Sequence, residues 1–112
     1  MPSPSASLFR IDRLAVPAAS MGPLLEQVER NQARLRAQPG CRQAHALVRP
    51  ADAEGFNLMT IVEWADAPAM TAAKAVMDAL HAAEGFDPGT FRQGLGVRTD
   101  SGVYGPAAFS AP

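Results

Sequence analysis

The spacing of hydrophobic and polar residues predicts a strand and a helix in the first part of the chain. Residues 8–16 (LFRIDRLAV) interleave apolar and charged side chains, as is typical of a half-buried strand. From Met21 onward, apolar residues recur at helical spacing until the helix-stopping pair Pro39-Gly40. The apolar stripe of this predicted helix consists of Met21, Leu24, Leu25, Val28 and Leu35.

Two further strands are predicted to follow and to pair with each other. Residues 41–48 suit a strand, although their alanines weaken its propensity. Residues 56–64 (FNLMTIVEW) form the strongest predicted strand, because they are nearly all β-branched, aromatic or large apolar. The turn-rich link at residues 50–55 is short, which favours an antiparallel hairpin.

A second helix and a last strand complete the pattern. Asp66 and Pro68 are helix-start signals, and Gly85 marks the end of the helix. After it, residues 87–92 predict one more helical turn and residues 95–104 (LGVRTDSGVY) a strand. The predicted side of the second helix that faces the core contains Met70, Ala73, Met77, Leu80 and Glu84.

The order β-α-β-β-α-β is the ferredoxin-like arrangement, an α+β fold with a four-stranded antiparallel sheet and two helices on one face. Residues 7–104 are expected to form this single domain. A disordered tail is expected at residues 1–6 and a C-terminal tail at residues 105–112, because both are rich in small residues and proline.

The predicted strand 56–64 has large apolar residues on both of its faces. Two helices cover only one face of the sheet, so the other face is expected to meet a second copy of the chain. A twofold partner that packs its sheet against this one would make a homodimer, a closed dimeric α/β barrel.

Composition narrows the class of protein. The chain has 112 residues, which suits one domain, and its formal net charge is −1. Because its Lys and Arg are scattered, neither nucleic-acid binding nor a membrane-surface helix is expected. No apolar run approaches the roughly 20 residues of a membrane span, and the N-terminus has no signal-peptide pattern, so a cytoplasmic protein is expected.

Residues 57–70 (NLMTIVEWADAPAM) combine a β-rich run ending in Glu-Trp with a small or acidic turn into a helix. This stretch resembles the antibiotic biosynthesis monooxygenase (ABM) family. The helix that contains His81 and the turn at residues 38–41 also resemble the family, and the likeness covers residues 8–104. It implies a dimer of ferredoxin-like subunits, each with a pocket between sheet and helices. Members include cofactor-free monooxygenases that oxidise polycyclic phenols, haem-degrading enzymes and quinol oxygenases.

The residues of the phenol-oxidising branch match in part. That branch places an Asn four positions before the tryptophan at the strand end and a Tyr six positions after it. Trp64 matches the tryptophan here, whereas Thr60 and Met70 occupy the other two positions. Any oxidation of a phenol would therefore depend on other polar groups.

The residues of the haem-degrading branch match less well. That branch needs an Asn on the first strand, where Asp12 stands here, and a Trp inside the second helix, where residues 72–75 contain none. Only its histidine, near the end of that helix, has a counterpart in His81. The sequence therefore argues against haem degradation, and no cofactor is expected.

His81 is the best candidate for a catalytic base. It lies at the edge of the apolar side of its helix, and histidine's ordinary pKa of about 6.5 suits transfer of a phenolic proton at neutral pH. The other candidates bind substrate: Trp64 by aromatic stacking, together with Thr60, Met70, Met77 and Asp12. Each has a structural alternative, which is core packing for Trp64 and the methionines and surface charge for Asp12.

Cys41 and His45 are weaker candidates. Strand alternation predicts that they share a face about 13 Å apart, too far for His45 to activate the thiol. His45 is instead expected at the surface or at a subunit contact. The single cysteine excludes an internal disulfide, and no metal site is expected because the sequence has no HExxH motif or carboxylate–histidine cluster.

Two functions follow from these observations. The first is a cofactor-independent monooxygenase that acts on an aromatic or phenolic small molecule, with His81 as base near Trp64. The alternative is a non-catalytic dimeric protein of the same fold that binds a ligand or serves in a stress response. Fold alone does not separate them, because function depends on the site.

Overall fold

Four antiparallel strands form one sheet, accompanied by three helices, in a computed structural model that describes residues 7–107. The strands are β1 (Leu8–Ala15), β2 (Cys41–Val48), β3 (Leu58–Trp64) and β4 (Arg98–Tyr104). The helices are α1 (Met21–Arg36), α2 (Ala67–Glu84) and α3 (Pro88–Gly94), and a 3-10 turn at Ala18–Ser20 precedes α1. Residues 1–6 and 108–112, in the predicted tails, lie outside the described residues.

The sheet has the strand order β2-β3-β1-β4, and every neighbouring pair is antiparallel. This order places the first and third strands at the centre, as the ferredoxin-like prediction requires. The predicted α+β fold is therefore confirmed, with the short α3 as an addition to the two long helices.

The two faces of the sheet differ in what covers them. The inner face packs on the helices, and its β3 residues Leu58, Thr60, Val62 and Trp64 are all buried. The outer face carries half-buried or exposed residues on every strand. Those residues are Phe9, Ile11, Arg13, Gln43, His45, Leu47, Met59, Ile61, Glu63, Asp100, Gly102 and Tyr104.

The core consists of two clusters that lie side by side on the inner face. One joins the ends of β1 and β3 to α1 through Leu14, Val16, Leu24, Val28 and Leu58. The other joins β2 and β3 to α2 through Ala44, Val62, Trp64 and Ala73. The two long helices are thereby each fixed to the sheet by a separate apolar contact.

The predicted strand at residues 56–64 begins two residues later, at Leu58. The backbone N–H of Phe56 donates to the Asp52 carboxylate at 2.9 Å, and its carbonyl accepts from the N–H of Asp52. Both backbone groups of Phe56 are thus used inside the loop. The side chain of Asn57 then bridges to the N–H and the carbonyl of Val16, which ties the loop to the end of β1.

The predicted strand at residues 95–104 begins three residues later, at Arg98. Residues 95–97 instead close the end of α3, since their N–H groups donate to carbonyls of that helix. Gly96, with a φ of 74°, provides the left-handed conformation that this closure needs.

The predicted placement of Cys41 and His45 on one face is wrong. An irregularity between Cys41 and Gln43 shifts the pairing of β2 with β3 by one residue. Cys41 therefore lies beside Trp64 on the inner face, while His45 pairs with Ile61 on the outer face. A bulge moves the residues before it to the other face of the sheet. The prediction assumed that successive residues alternate strictly between the two faces, which leaves no place for a bulge.

The buried side of α2 is rotated from its predicted position. Its buried residues are Ala73, Met77 and His81, whereas Glu84 is exposed. The predicted side continued from Met77 through Leu80 to Glu84. The observed stripe passes through His81, which moves this side chain from the edge of the helix to its buried side.

Gly40 fixes the approach of α2 to the sheet. Its φ is 84°, its carbonyl accepts from the N–H of Ala65 at 2.8 Å, and a Cβ at Gly40 would come within 2.5 Å of the Ala69 Cβ. The chain between α1 and β2 therefore packs against the first turn of α2 at a distance that only glycine permits.

We expect Gly40→Ala to lower the free energy of unfolding by about 1–3 kcal/mol, because alanine would be strained at this φ and would contact Ala69. The matched control is Gly22→Ala in α1, where a Cβ meets nothing within 4 Å. That change should raise the free energy of unfolding by about 0.5–1 kcal/mol through helix propensity. Urea denaturation measures both, and equal stability of the two variants would contradict this account of Gly40.

Candidate functional site

A cavity of about 370 Å³ lies between the inner face of the sheet and the helices. This volume is in the range of about 300–1,000 Å³ that small-molecule sites commonly have. All six side chains predicted from the sequence as site residues line it: Asp12, Thr60, Trp64, Met70, Met77 and His81. We call it the main cavity.

The apolar part of the main cavity is formed by β3 and the two long helices. Trp64 is 3% exposed, and it packs in the core with Val62 and Ala73 while also lining the cavity. Trp64 therefore belongs to the hydrophobic core and to the wall of the cavity at the same time. Met70 and Met77 line the cavity from α2, and flexible thioether side chains of this kind adapt to ligands of irregular shape.

His81 lies in the last turn of α2 and is 9% exposed. Its Nε2 is 3.3 Å from the amide oxygen Oδ1 of Asn31 on α1. In the tautomer in which Nε2 carries the hydrogen, it donates to Asn31 and leaves Nδ1 free to accept a proton. Asn31 therefore orients the ring, and this contact suits the tautomer that leaves Nδ1 unprotonated.

The turn after α2 also contacts the His81 imidazole. Gly85 has a φ of 65°, and the next residue, Phe86, donates its N–H to the carbonyl of His81 at 2.8 Å. The Phe86 ring then meets the imidazole edge-on, with ring centroids 5.4 Å apart. The end of α2 thus fixes His81 by a backbone turn as well as by a side-chain contact.

Asp12 provides a carboxylate on the sheet side of the main cavity. It accepts from Arg10 Nε at 3.1 Å and, over a longer distance of 3.4 Å, from the hydroxyl of Thr60. Arg10 and Thr60 also line the cavity. Asp12 therefore belongs to a small polar network on the floor of the cavity rather than to an ordinary surface pair.

Arg92 is the cation of the main cavity that has no carboxylate partner among residues 7–107. Two other cations of the lining are paired, Arg10 with Asp12 and Lys74 with Asp78 at 2.8 Å. The Nε atom of Arg92 is buried and has no hydrogen-bond partner in this part of the chain. An unpaired guanidinium in a cavity favours a ligand that carries negative charge.

Asp87 positions Arg92 by starting the helix that carries it. The Asp87 carboxylate accepts from the N–H groups of Gly89 and Thr90 at 2.9 and 3.3 Å, which caps α3. Arg92 follows in the last turn of this short helix. The added helical turn that the sequence predicted is therefore the element that brings a cation to the cavity.

Asn31 and Arg92 are site residues that the sequence reasoning missed. The apolar stripe of α1 has a gap between Val28 and Leu35, where helical spacing places residues 31 and 32 on the buried side. Polar residues at such a gap indicate a lined cavity or a buried hydrogen bond, and this signal was present in the sequence. Arg92 gave no such signal, because its position depends on how α3 folds back.

The remaining candidates lie elsewhere. Cys41 is half-buried beside the second core cluster, and burial raises the pKa of its thiol, so the reactive thiolate is disfavoured. His45 is exposed on the outer face, where its Nε2 is 2.9 Å from the side-chain oxygen of Gln43. Neither residue lines the main cavity.

Two kinds of feature are absent from residues 7–107. No group of three or more His, Cys, Asp or Glu side chains is placed to hold a metal ion. No helix in these residues is long and apolar enough to cross a membrane.

The family model of antibiotic biosynthesis monooxygenases matches residues 8–85, which is more than half of the chain. This chain belongs to the ABM family. The matched residues include β1, α1, β2, β3 and α2, so the family region contains most of the main cavity. Arg92 on α3 lies beyond it. A comparison with curated proteins finds no match.

Several solved structures have the same fold as this chain. A variant of SnoaB, a cofactor-independent oxygenase from Streptomyces nogalater, is 21% identical, with a TM-score of 0.61 over 92% of this chain and 95% of its own. PA3566 from Pseudomonas aeruginosa is 19% identical, with a TM-score of 0.64 over 92% and 98% of the two chains. Rv0793 from Mycobacterium tuberculosis is 15% identical, with a TM-score of 0.62 over 95% and 100%. At these identities the likeness establishes the fold of this ABM protein.

Arg92 should select anionic ligands, and Trp64, the only tryptophan of the chain, reports binding by its fluorescence. We expect 2-naphthoate to quench Trp64 more strongly, at equal concentration, than the neutral 2-acetylnaphthalene. Arg92→Gln should weaken the affinity for 2-naphthoate about tenfold or more, the effect of losing a hydrogen bond to a charged group. The affinity for the neutral ketone should change little. Equal losses for both probes would contradict a charge-based role for Arg92.

Proposed function

We propose that this ABM protein is a cofactor-independent monooxygenase that acts on an aromatic, phenolic small molecule. The observation that carries the proposal is the His81–Asn31 pair at the wall of a cavity lined by Trp64 and methionines. A positioned imidazole and an apolar enclosure are the two features that oxidation of a phenol by O₂ requires from a protein without a cofactor.

The chemistry follows from the acidity of the substrate. His81 removes the phenolic proton, and the resulting anion is electron-rich enough to transfer electrons to O₂. One oxygen atom enters the ring and the other leaves as water, together with two hydrogens that the substrate loses. The protein supplies the base, the orientation and the exclusion of water, while the substrate itself supplies the electrons.

Charge in the main cavity supports the same reaction. Arg92 lacks a carboxylate partner among the described residues, so it is available to stabilise a phenolate. The Asp12 carboxylate is already bonded to Arg10 and Thr60, which keeps its charge from opposing the anion. Arg92 is therefore proposed to bind the ionised substrate, and Asp12 to hold the floor of the cavity in place.

We further propose that the protein works as a homodimer formed through the outer face of the sheet. The centre of this face is apolar, with Phe9, Ile11, Met59 and Ile61 half-buried and Leu47 and Tyr104 more than half exposed. The described helices all pack elsewhere, and an exposed apolar face of this kind is typical of a protein contact. A twofold copy would cover it and leave the main cavity on the opposite side of the sheet.

The alternative is a non-catalytic, dimeric ligand-binding or stress-related protein of the same fold. It is favoured by Thr60 and Met70, which occupy the positions of the Asn and Tyr of the phenol-oxidising branch. Such a protein would keep the cavity and its affinity for aromatic ligands but would not consume oxygen. Binding without oxygen uptake across a panel of phenols and quinols would decide for it.

We expect the pure protein to take up oxygen with an anthrone, and His81→Ala to lower kcat by about 10²–10⁴, the usual contribution of a general base. An oxygen electrode measures uptake, and quinone absorbance confirms the product. The matched control is His45→Gln, which changes the other histidine of the chain, on the opposite face of the sheet. Unchanged oxygen uptake in His81→Ala would remove His81 from the mechanism.

A further inference from the structure

A second cavity, of about 300 Å³, shares two lining residues with the main cavity, Asn31 and His81. The His81–Asn31 pair is therefore a wall between two cavities. The other residues that line the second cavity are Gln27, Arg30, Arg34, Glu84 and Phe86. Because Arg30 and Glu84 are exposed, this cavity reaches the surface, and we call it the outer cavity.

Gln27 is the unusual residue of the outer cavity. It is 2% exposed, and neither its Oε1 nor its Nε2 has a hydrogen-bond partner among residues 7–107. A primary amide offers two donors and an acceptor, and leaving them unpaired in a protein interior is unfavourable. The next buried glutamine of α1, Gln32, differs in this respect, because it donates to the carbonyl of His45 at 2.8 Å.

Water is the partner that suits this amide best. It both donates and accepts, so it pairs with the oxygen and the nitrogen of Gln27, whereas an anion would pair with the nitrogen alone. The outer cavity is polar and has room for several molecules at about 30 Å³ each. A chain of hydrogen-bonded water from Gln27 to the surface would pass beside the His81 ring.

Charged side chains at the mouth connect the outer cavity to solvent. Glu84 is held by hydrogen bonds from Arg34, which lower the pKa of its carboxyl, so it is anionic at neutral pH. Glu84 and His81 are close enough to interact electrostatically. Arg30 and Arg34 line the same mouth, and Arg34 forms an ion pair with Glu84 there, while Arg30 is exposed.

We propose that the outer cavity is a water-filled outlet through which His81 releases the proton it takes from the substrate, with Gln27 positioning the innermost water. The inference rests on the proposed function of His81. A substrate in the main cavity closes that side of the ring to solvent, so the proton leaves from the other side. The imidazole accepts one proton from the phenol and returns one to the water of the outer cavity. The same water supplies in turn the proton with which the second oxygen atom leaves as H2O, so protons balance over the whole reaction and no electrons move in this step.

Gln27→Leu tests the outlet, since leucine has a similar volume and no hydrogen-bonding groups. Because the amide has no protein partner, we expect the melting temperature to stay the same or to rise. The exchange of the His81 ring N–H with water, measured by NMR, should slow about tenfold, the effect of losing one ordinary hydrogen bond. Gln93→Leu, the same change at an exposed position of α3, should leave the exchange rate as it is.

Oxygen uptake provides a second readout. In Gln27→Leu, kcat should fall while KM stays constant, and a small diffusible base such as free imidazole should restore kcat better than a bulky buffer does. Constant exchange in Gln27→Leu would overturn the outlet, and so would slower exchange with an unchanged kcat. The exchange measurement needs no turnover. It therefore still tests the outlet if wild-type protein consumes no oxygen, a result that would refute the proposed function alone.

Discussion

The structure depends on one constraint, which is that β3 is apolar on both sides and the helices cover only one of them. On the inner side, Leu58, Val62 and Trp64 pack against α1 and α2 and close the core. On the outer side, Met59 and Ile61 stay half-buried at the centre of an uncovered face. The constraint thus divides the molecule into a side with a cavity and a side with an uncovered apolar face, which we propose meets a second copy.

The main cavity exists because α1 and α2 do not pack with purely apolar surfaces. On α1, Asn31 and Gln32 interrupt the stripe between Val28 and Leu35, and on α2 the stripe ends in His81. These polar side chains form hydrogen bonds, Asn31 with His81 and Gln32 with the carbonyl of His45, and they replace apolar groups that would fill the space between the helices and the sheet. The residues that interrupt the apolar packing are also those whose side chains can form hydrogen bonds in the cavity.

Much of the fold could be predicted from the sequence, because hydrophobic periodicity reports burial directly. The bounds of β2 and the caps of α2 at Asp66 and Gly85 were predictable for this reason. Departures arose where a backbone group bonds to a side chain or a turn instead of a strand, as at Phe56 and at residues 95–97. Such hydrogen bonds depend on the tertiary structure, and residue type alone does not predict them.

The six residues predicted for the site line one cavity, and their roles there stay predictions. They lie together because β1, β3 and α2 each turn one side toward the space between sheet and helices, although the buried side of α2 is rotated from the predicted one. The partner of His81 was visible only as a gap in the stripe of α1. Arg92 and Gln27 matter because of what they lack, a carboxylate and a hydrogen-bond partner, and pairing of this kind becomes visible only in three dimensions.

The main cavity and the apolar outer face lie on opposite sides of the sheet. The residues of β3 alternate between them, with Thr60, Val62 and Trp64 lining the cavity and Met59 and Ile61 on the outer face.

Sedimentation equilibrium at micromolar concentration measures whether the outer face of the sheet binds a second copy. We expect a species of twice the 11.8 kDa mass of one chain, and a folded monomer when Ile61→Lys places a charge at the centre of the outer face. Thr71→Lys, an exposed position on α2, should remain dimeric. A stable wild-type monomer at this concentration would contradict the account, because the apolar outer face would then have no partner.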